Sequence, residues 1–196
     1  AARIKTNGLL GQLKGGRVRD RHWRIIMSAL NVQWNMNDLY LRDMWESGLQ
    51  QHESMIKDVL RVAQGEGVLE ACREEVKAVW STYELRLVNF QGKCKLIKGW
   101  DDIFSKVGEH LGQLEGMTAS PFFKPFEAEH TAMMDKLNKV KASFDVWIEV
   151  QRRFVYREGI FVGSAEIKQQ LPAEFTRFKS IEKEFLNLCR KTAVNP

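Results

Sequence analysis

The sequence predicts a mainly α protein: elongated antiparallel helical bundles in series with one small β-hairpin. Three observations carry this. Apolar residues recur at spacings of three and four along most of the chain, the mark of helices with one buried face. Residues 126 to 158 hold that spacing with no Gly or Pro, about 32 helical residues or ~48 Å at 1.5 Å each. Only around residues 83 to 97 does the period shorten to two, either side of the turn signal "QGK".

Each element follows in order. Residues 1 to 16 hold four glycines and little periodicity, so 1–19 reads as a flexible basic lead-in. A helix begins near Asp20 and runs through "RHWRIIMSAL". "NVQWNMNDLYLRDMW" holds a second, shorter helix with Asn37 or Asp38 as cap. A helical face follows from about 49 to 82, through Leu49, Ile56, Val59, Ala63, Leu69, Val76 and Val79. Gly65 and Gly67 interrupt it at about 1 kcal/mol each, and a kink or break is expected there. "YELRLVNFQGKCKLI" is the hairpin, closed by Gly99. Asp101 or Asp102 caps a helix to about 115, with Ile103, Val107, Leu111 and Leu114 inward.

"GMTASPFFKP" is a loop, and the long helix follows it. Its stripe runs Met133, Leu137, Val140, Phe144, Trp147, Gln151, Phe154. "EGIFVGS" ends it at Gly159 and Gly163, and Ser164 caps the short helix "AEIKQQ". Pro172 opens the last helix, to about Lys191, with Phe175, Phe178, Ile181, Phe185 and Leu188 inward. These elements group as sub-bundles of about 20–115 and 120–196 within one elongated unit, 20–196.

Composition narrows the function classes. Of 196 residues, 44% are hydrophobic and 28% charged, which argues against disorder. No apolar run approaches the ~18 residues of a membrane span, and the opening lacks a signal-peptide core. With no initiator Met and an end that looks cut, the sequence reads as a fragment of a larger polypeptide. Cys72, Cys94 and Cys189 are odd in number and widely spaced, as in a reducing, intracellular protein. The net charge of +5 comes from residues 1 to 24, with seven Lys or Arg against Asp20. That arm has no stacking aromatic before Trp23, so neither nucleic acid nor a membrane surface is expected as partner.

Chemistry is equally sparse. His22, His52, His110 and His130 are scattered, with no second ligand at metal spacing. "NFQGKCK" lacks the first glycine of a phosphate loop and has Cys94 where Ser or Thr belongs. No GxSxG and no sequence-adjacent Cys–His pair occurs. The expectation is no catalytic, metal or cofactor site. Phe144, Trp147, Gln151 and Phe154 instead form a structural seam, and Gln151 must be hydrogen-bonded if buried. Arg152, Arg153 and Glu158 read as a solvated or intra-linker charged face rather than a docking site. Hinges sit at element ends, which makes Gly65, Gly99, Gly159 and Gly163 the candidates.

One long stretch, "FDVWIEVQRRFVYREGIFVGSAEIKQQLPAEFTRF", is similar to the linker region of dynein heavy chains. "RDRHWRIIM", "KDVLRVAQGE" and "VWSTYELRLVNFQGKCKLIKGWDDIFSKVGEHL" resemble the cytoplasmic form rather than the axonemal ones. The likeness covers about residues 19 to 190. It departs at Arg157, commonly Leu in the family, and at Phe154, often Trp. The resemblance implies a fragment at the tail edge and amino-terminal linker of a microtubule motor with a ring of six AAA+ modules. ATP and Mg would belong to that ring, leaving this fragment no enzyme and without a cofactor of its own. The linker would carry the ring's ATP-driven change to the cargo-binding tail for minus-end-directed transport. Its implied partners are the AAA+ ring of the same heavy chain and, near the tail, dynein intermediate and light intermediate chains. Microtubules would be reached only through the parent chain, a homodimer located in the cytoplasm on the cytoskeleton. Two other readings are a passive, spectrin-like helical scaffold for accessory subunits and an enzyme with an unrecognised site.

Overall fold

A computed structural model of the chain describes residues 8, 11–13, 15, 17–36 and 38–194. The 1–19 lead-in falls largely outside them. Of its described part, residues 11–13 are helical and Leu13 is buried. Among the described residues the structure is mainly α with one two-stranded antiparallel sheet. It divides into two units, one of Ala1–Glu75 and Gly116–Glu127, the other of Val76–Glu115 and Ala128–Pro196.

In the first unit, α1 (Asp20–Leu30) buries His22, Ile26 and Leu30, one residue per turn. His22 also caps the helix, since the Arg19 N–H donates to its Nδ1 at 3.0 Å. The α2 helix (Leu41–Glu46) is capped by Asp43, whose Oδ2 accepts the Tyr40 N–H at 3.1 Å. Asp38 lies before the helix and is not the cap, and Asn37 is outside the described residues. A 3-10 turn, Leu49–His52, then leads into α3 (Glu53–Ser81).

The expected break at Gly65 and Gly67 is not there, and α3 runs through both. The reason is packing. A Cβ on Gly65 would sit 2.1 Å from the Phe122 ring, so the glycine lets that ring lie on the helix backbone. The contact offsets a propensity cost of about 1 kcal/mol. Ile26, Met44, Leu49, Ile56, Val59 and Leu60 complete this core. Above it, buried Glu66 accepts from Arg21 Nε at 2.7 Å and lies 2.9 Å from His22 Nε2. Arg21 and Arg73 both lie over the Phe126 ring, at 5.5 and 5.4 Å.

In the second unit, β1 (Arg86–Phe90) pairs with β2 (Cys94–Lys98) in the register Arg86 to Lys98 and Phe90 to Cys94. The hairpin exits through Gly99 at φ +83° into α4 (Trp100–Met117). Ile103, Val107 and Leu114 of α4 are buried, and Leu111 is partly so. The α5 helix (Glu127–Gly163) has 37 residues and continues past Gly159, so its end lies beyond the expected one. His130 Nε2 lies 2.9 Å from the Leu114 carbonyl and ties the start of α5 to α4. Ser164 caps α6 (Ala165–Gln170), its Oγ accepting the Ile167 N–H at 3.3 Å. Pro172 opens α7 (Pro172–Thr192). The buried face of α7 is Phe178, Glu182, Phe185 and Cys189, whereas Ile181 and Leu188, expected inward, are 50% and 47% exposed.

Gly65→Ala is expected to destabilise the protein by about 1–3 kcal/mol through overpacking against Phe122. Gly108→Ala, where a Cβ meets nothing within 4 Å, is expected to stabilise it by up to about 1 kcal/mol. Urea unfolding of both variants distinguishes a packing glycine from a flexible one, which would gain stability from alanine at either site.

Candidate functional site

The densest set of specific side-chain contacts in the second unit lies where the hairpin meets α5 and α7. It begins with Gln151. A two-stranded sheet leaves the outer edge of each strand without a ladder partner. On β2 that edge is buried under α5, and the Ile97 N–H and C=O need partners there. Gln151 supplies both: the Ile97 N–H donates to Gln151 Oε1 at 3.1 Å, and Gln151 Nε2 donates to the Ile97 carbonyl at 2.8 Å. A primary amide has the donor and acceptor arrangement of a peptide group, so one helix side chain stands in for a third strand. Trp147 Nε1 adds a longer bond, 3.4 Å, to the same Oε1.

Two turns further along α5, Glu158 is 1% exposed. Its Oε1 accepts from Lys93 Nζ at 2.6 Å and its Oε2 from Gln91 Nε2 at 3.0 Å. Both donors belong to the hairpin turn, which Gly92 permits at φ +70°. Lys93 also reaches buried Glu182 of α7 at 3.8 Å, and Lys179 Nζ donates to the other Glu182 oxygen at 2.5 Å. From Gln151 to Glu158 is about 10.5 Å of helix, and from Ile97 to Lys93 about 13 Å of strand. The hairpin therefore lies along α5 and is held to it at both ends.

Between the two polar anchors sits Phe154, against Phe90 (6.0 Å between centroids), Phe178 (6.0 Å, stacked) and Phe185 (4.7 Å). Phe161 continues the row against Phe175 and Phe178. Trp147 and Phe144 are half-buried, with Trp147 against Phe185 and Phe144 edge-on to Trp100.

Charge at the clasp follows from this geometry. Burial pushes the Glu158 carboxyl up, but hydrogen bonds from Lys93 and Gln91 outweigh it and leave the pKa below the ordinary glutamate value. The bond to Glu158, above all, holds the Lys93 ammonium above the ordinary lysine value. Beside the clasp, burial pushes the Cys94 thiol up and the Cys189 thiol up to about 12. Both thiols are protonated at neutral pH and act as small apolar groups. Among the described residues, no three His, Cys, Asp or Glu side chains gather as a metal-ligand group.

A family model described as "Dynein heavy chain, N-terminal region 2" matches residues 3–196. The chain belongs to the dynein heavy chain family. It is 48% identical over 193 residues to the cytoplasmic dynein heavy chain of Drosophila melanogaster. Identity is 47% over 193 residues to that of Paramecium tetraurelia, and 32% over 196 residues to that of Eremothecium gossypii. The first two matches each cover 98% of this chain, and the chain spans about 4% of the length of those relatives.

Within this dynein heavy chain region, of the four seam residues named from sequence Gln151 and Phe154 meet the hairpin, Trp147 meets Gln151 and Phe185, and Phe144 meets Trp100 of α4. Arg152 and Arg153 are exposed, the latter bonded to Glu149 at 2.6 Å. Glu158 takes the intra-linker alternative of that reading: it is 1% exposed and bonded to Lys93 and Gln91 of the hairpin turn. The signal was present, since the spacing of four and three through Trp147, Gln151 and Phe154 continues to Glu158 and Phe161. The turn residues Gln91 and Lys93 carried no such signal. Of the hinge candidates, Gly65 is packed under Phe122 and Gly99 forms the hairpin exit. Gly159 and Gly163 lie in the last turns of α5 with open space around them.

Lys93→Met strands a buried carboxylate and is expected to cost about 3 kcal/mol or more, while Lys93→Met with Glu158→Leu recovers most of that loss. Because folding lowers the Glu158 pKa, its contribution is full above the ordinary glutamate value and fades as pH falls through the folded one. Thermal melts from pH 7 to pH 3 check this, with Glu158→Gln giving the shallower acid decline. Equal acid slopes in the two proteins contradict the clasp.

Proposed function

We propose that this segment is a mechanical linker element of a microtubule motor heavy chain. It passes the ATP-driven change of the AAA+ ring to the cargo-binding tail during minus-end-directed transport. The single observation that carries this is α5: 37 continuous helical residues, about 55 Å at 1.5 Å per residue, braced from the side by a hairpin fixed at two points. A helix bends readily when unsupported, and continuous side packing resists bending. Force transmission needs such a member and needs no catalytic group within it.

In this reading the fragment is not an enzyme, and its ATP and Mg are held by the ring. The ring of the same heavy chain is its direct partner. Intermediate and light intermediate chains lie near the tail, and microtubules are met only through the parent chain, a cytoplasmic homodimer. The seam Phe144, Trp147, Gln151 and Phe154 is the interior of the lever. Membership in the dynein heavy chain family and relatives named as cytoplasmic dynein heavy chains support this reading.

The test is a distance. With one label on the exposed outer face of α5, at Val146, and one on the ring of the full-length heavy chain, ATP is expected to shift the separation by nanometres. An unchanged separation in every nucleotide state contradicts the lever and leaves the passive, spectrin-like scaffold.

A further inference from the structure

We propose that Cys94 and Cys189 are an oxidation site, at which hydrogen peroxide joins the start of β2 to the last turns of α7 through a disulfide. Lys93 and Arg190 lie 97 positions apart in the chain, yet the Arg190 guanidinium donates to the Lys93 carbonyl at 3.4 Å. Beside that contact, Cys94 and Cys189 are buried in one core cluster with Phe154 and Phe185. The two thiols are hydrogen-bonded to each other. Packing therefore already holds the sulfurs in contact, and they have only to close to the ~2 Å of an S–S bond.

The surroundings give the two sulfurs different parts. The thiolate is the form that reacts. Burial pushes the Cys94 thiol up, but the bond from Cys189 and the charges of Arg190 and Lys93 act against that push. Burial and the neighbouring Cys94 sulfur raise Cys189 to about 12. Cys94 is thus the attacking sulfur and Cys189 the resolving one. Attack of the Cys94 thiolate on one peroxide oxygen breaks the O–O bond, releases hydroxide and leaves a sulfenic acid. The Cys189 sulfur then attacks the Cys94 sulfur, the S–O bond breaks, and the departing hydroxide takes the Cys189 proton as water. The sulfurs give up two electrons and the peroxide accepts them, so two thiols and one peroxide become a disulfide and two waters.

Burial sets the pace in both directions. It keeps the thiolate scarce, so the pair oxidises more slowly than an exposed thiol. Once formed, the bond is shielded from reducing thiols by the same packing, because exchange needs access to a sulfur. The cross-link also closes a long stretch of chain, which constrains the unfolded state and stabilises the folded one. The hairpin is held to α5 by Gln151 and Glu158; oxidation adds a covalent hold to α7. The site is local to the second unit and does not depend on the lever reading.

The test treats the native full-length heavy chain with hydrogen peroxide, blocks the remaining thiols with N-ethylmaleimide and digests it without reductant for mass spectrometry. A linked pair of peptides holding Cys94 and Cys189, lighter by the two thiol hydrogens and split by dithiothreitol, is the expected product. Dimedone, which traps sulfenic acids, is expected to label Cys94 in Cys189→Ala at least fivefold more than Cys189 in Cys94→Ala. Hydrogen exchange of amides 185–192 is expected to slow at least tenfold on oxidation and to recover with dithiothreitol. A linked pair that forms only in urea overturns the proposal. So do Cys94 and Cys189 thiols that stay reduced at a peroxide dose that oxidises Cys72, and so does equal dimedone labelling of the two variants.

Discussion

A single glutamine amide faces the backbone of a strand across a buried seam, and the second unit is arranged around that pairing. Gln151 meets the Ile97 N–H and carbonyl at 3.1 and 2.8 Å. Without it, two backbone groups of β2 are buried and unpaired, at about 1–3 kcal/mol each. An isolated two-stranded hairpin is marginal in water. By completing the β2 edge, Gln151 gives the hairpin a third partner and lets it lie along a helix rather than on a sheet. The apolar groups then have somewhere to go: Phe90 and Cys94 close over Phe154, and α7 closes over both.

The polar anchors and the aromatic row do different work. Burying a phenylalanine contributes about 1.5–3 kcal/mol whatever its exact pose, so Phe154, Phe178 and Phe185 supply most of the stability. They do not determine which residue of α5 faces which residue of the hairpin. That register is set by the two directional contacts, Gln151 on Ile97 and Glu158 on the turn. A buried ion pair is weak evidence for stability, and its best-attested use is specifying register. Glu158 fits that use, with a half-buried turn lysine reaching in to a carboxylate that is almost wholly buried.

Much of this was legible in the sequence. The period-two stretch around "QGK" placed the hairpin to within three residues at its start and one at its end, because turn chemistry is local. The long helix followed from an unbroken spacing of four and three, and Gln151 stood out as the polar residue on an apolar stripe. What was missed has a common cause. Gly65 was read by its propensity, and the Phe122 ring that uses it is 57 residues away. Glu158 was grouped with two arginines as a charged face, solvated or intra-linker, and neither its burial nor its partners were named although the stripe passes through it. On α7 the same preference for apolar residues selected Ile181 and Leu188, one position away from the buried Glu182 and Cys189. Local rules cannot see a carboxylate whose partner comes from a turn 65 residues earlier.

The central claim is that a side-chain amide, acting as a strand edge, locks the hairpin to α5. The most direct measurement is native-state hydrogen exchange at the Ile97 amide in the wild type and in Gln151→Leu. Exchange limited by global unfolding in the wild type, with protection falling at least tenfold in the variant, is the predicted result. Rapid exchange at Ile97 in the wild type, or equal protection in both proteins, contradicts the account.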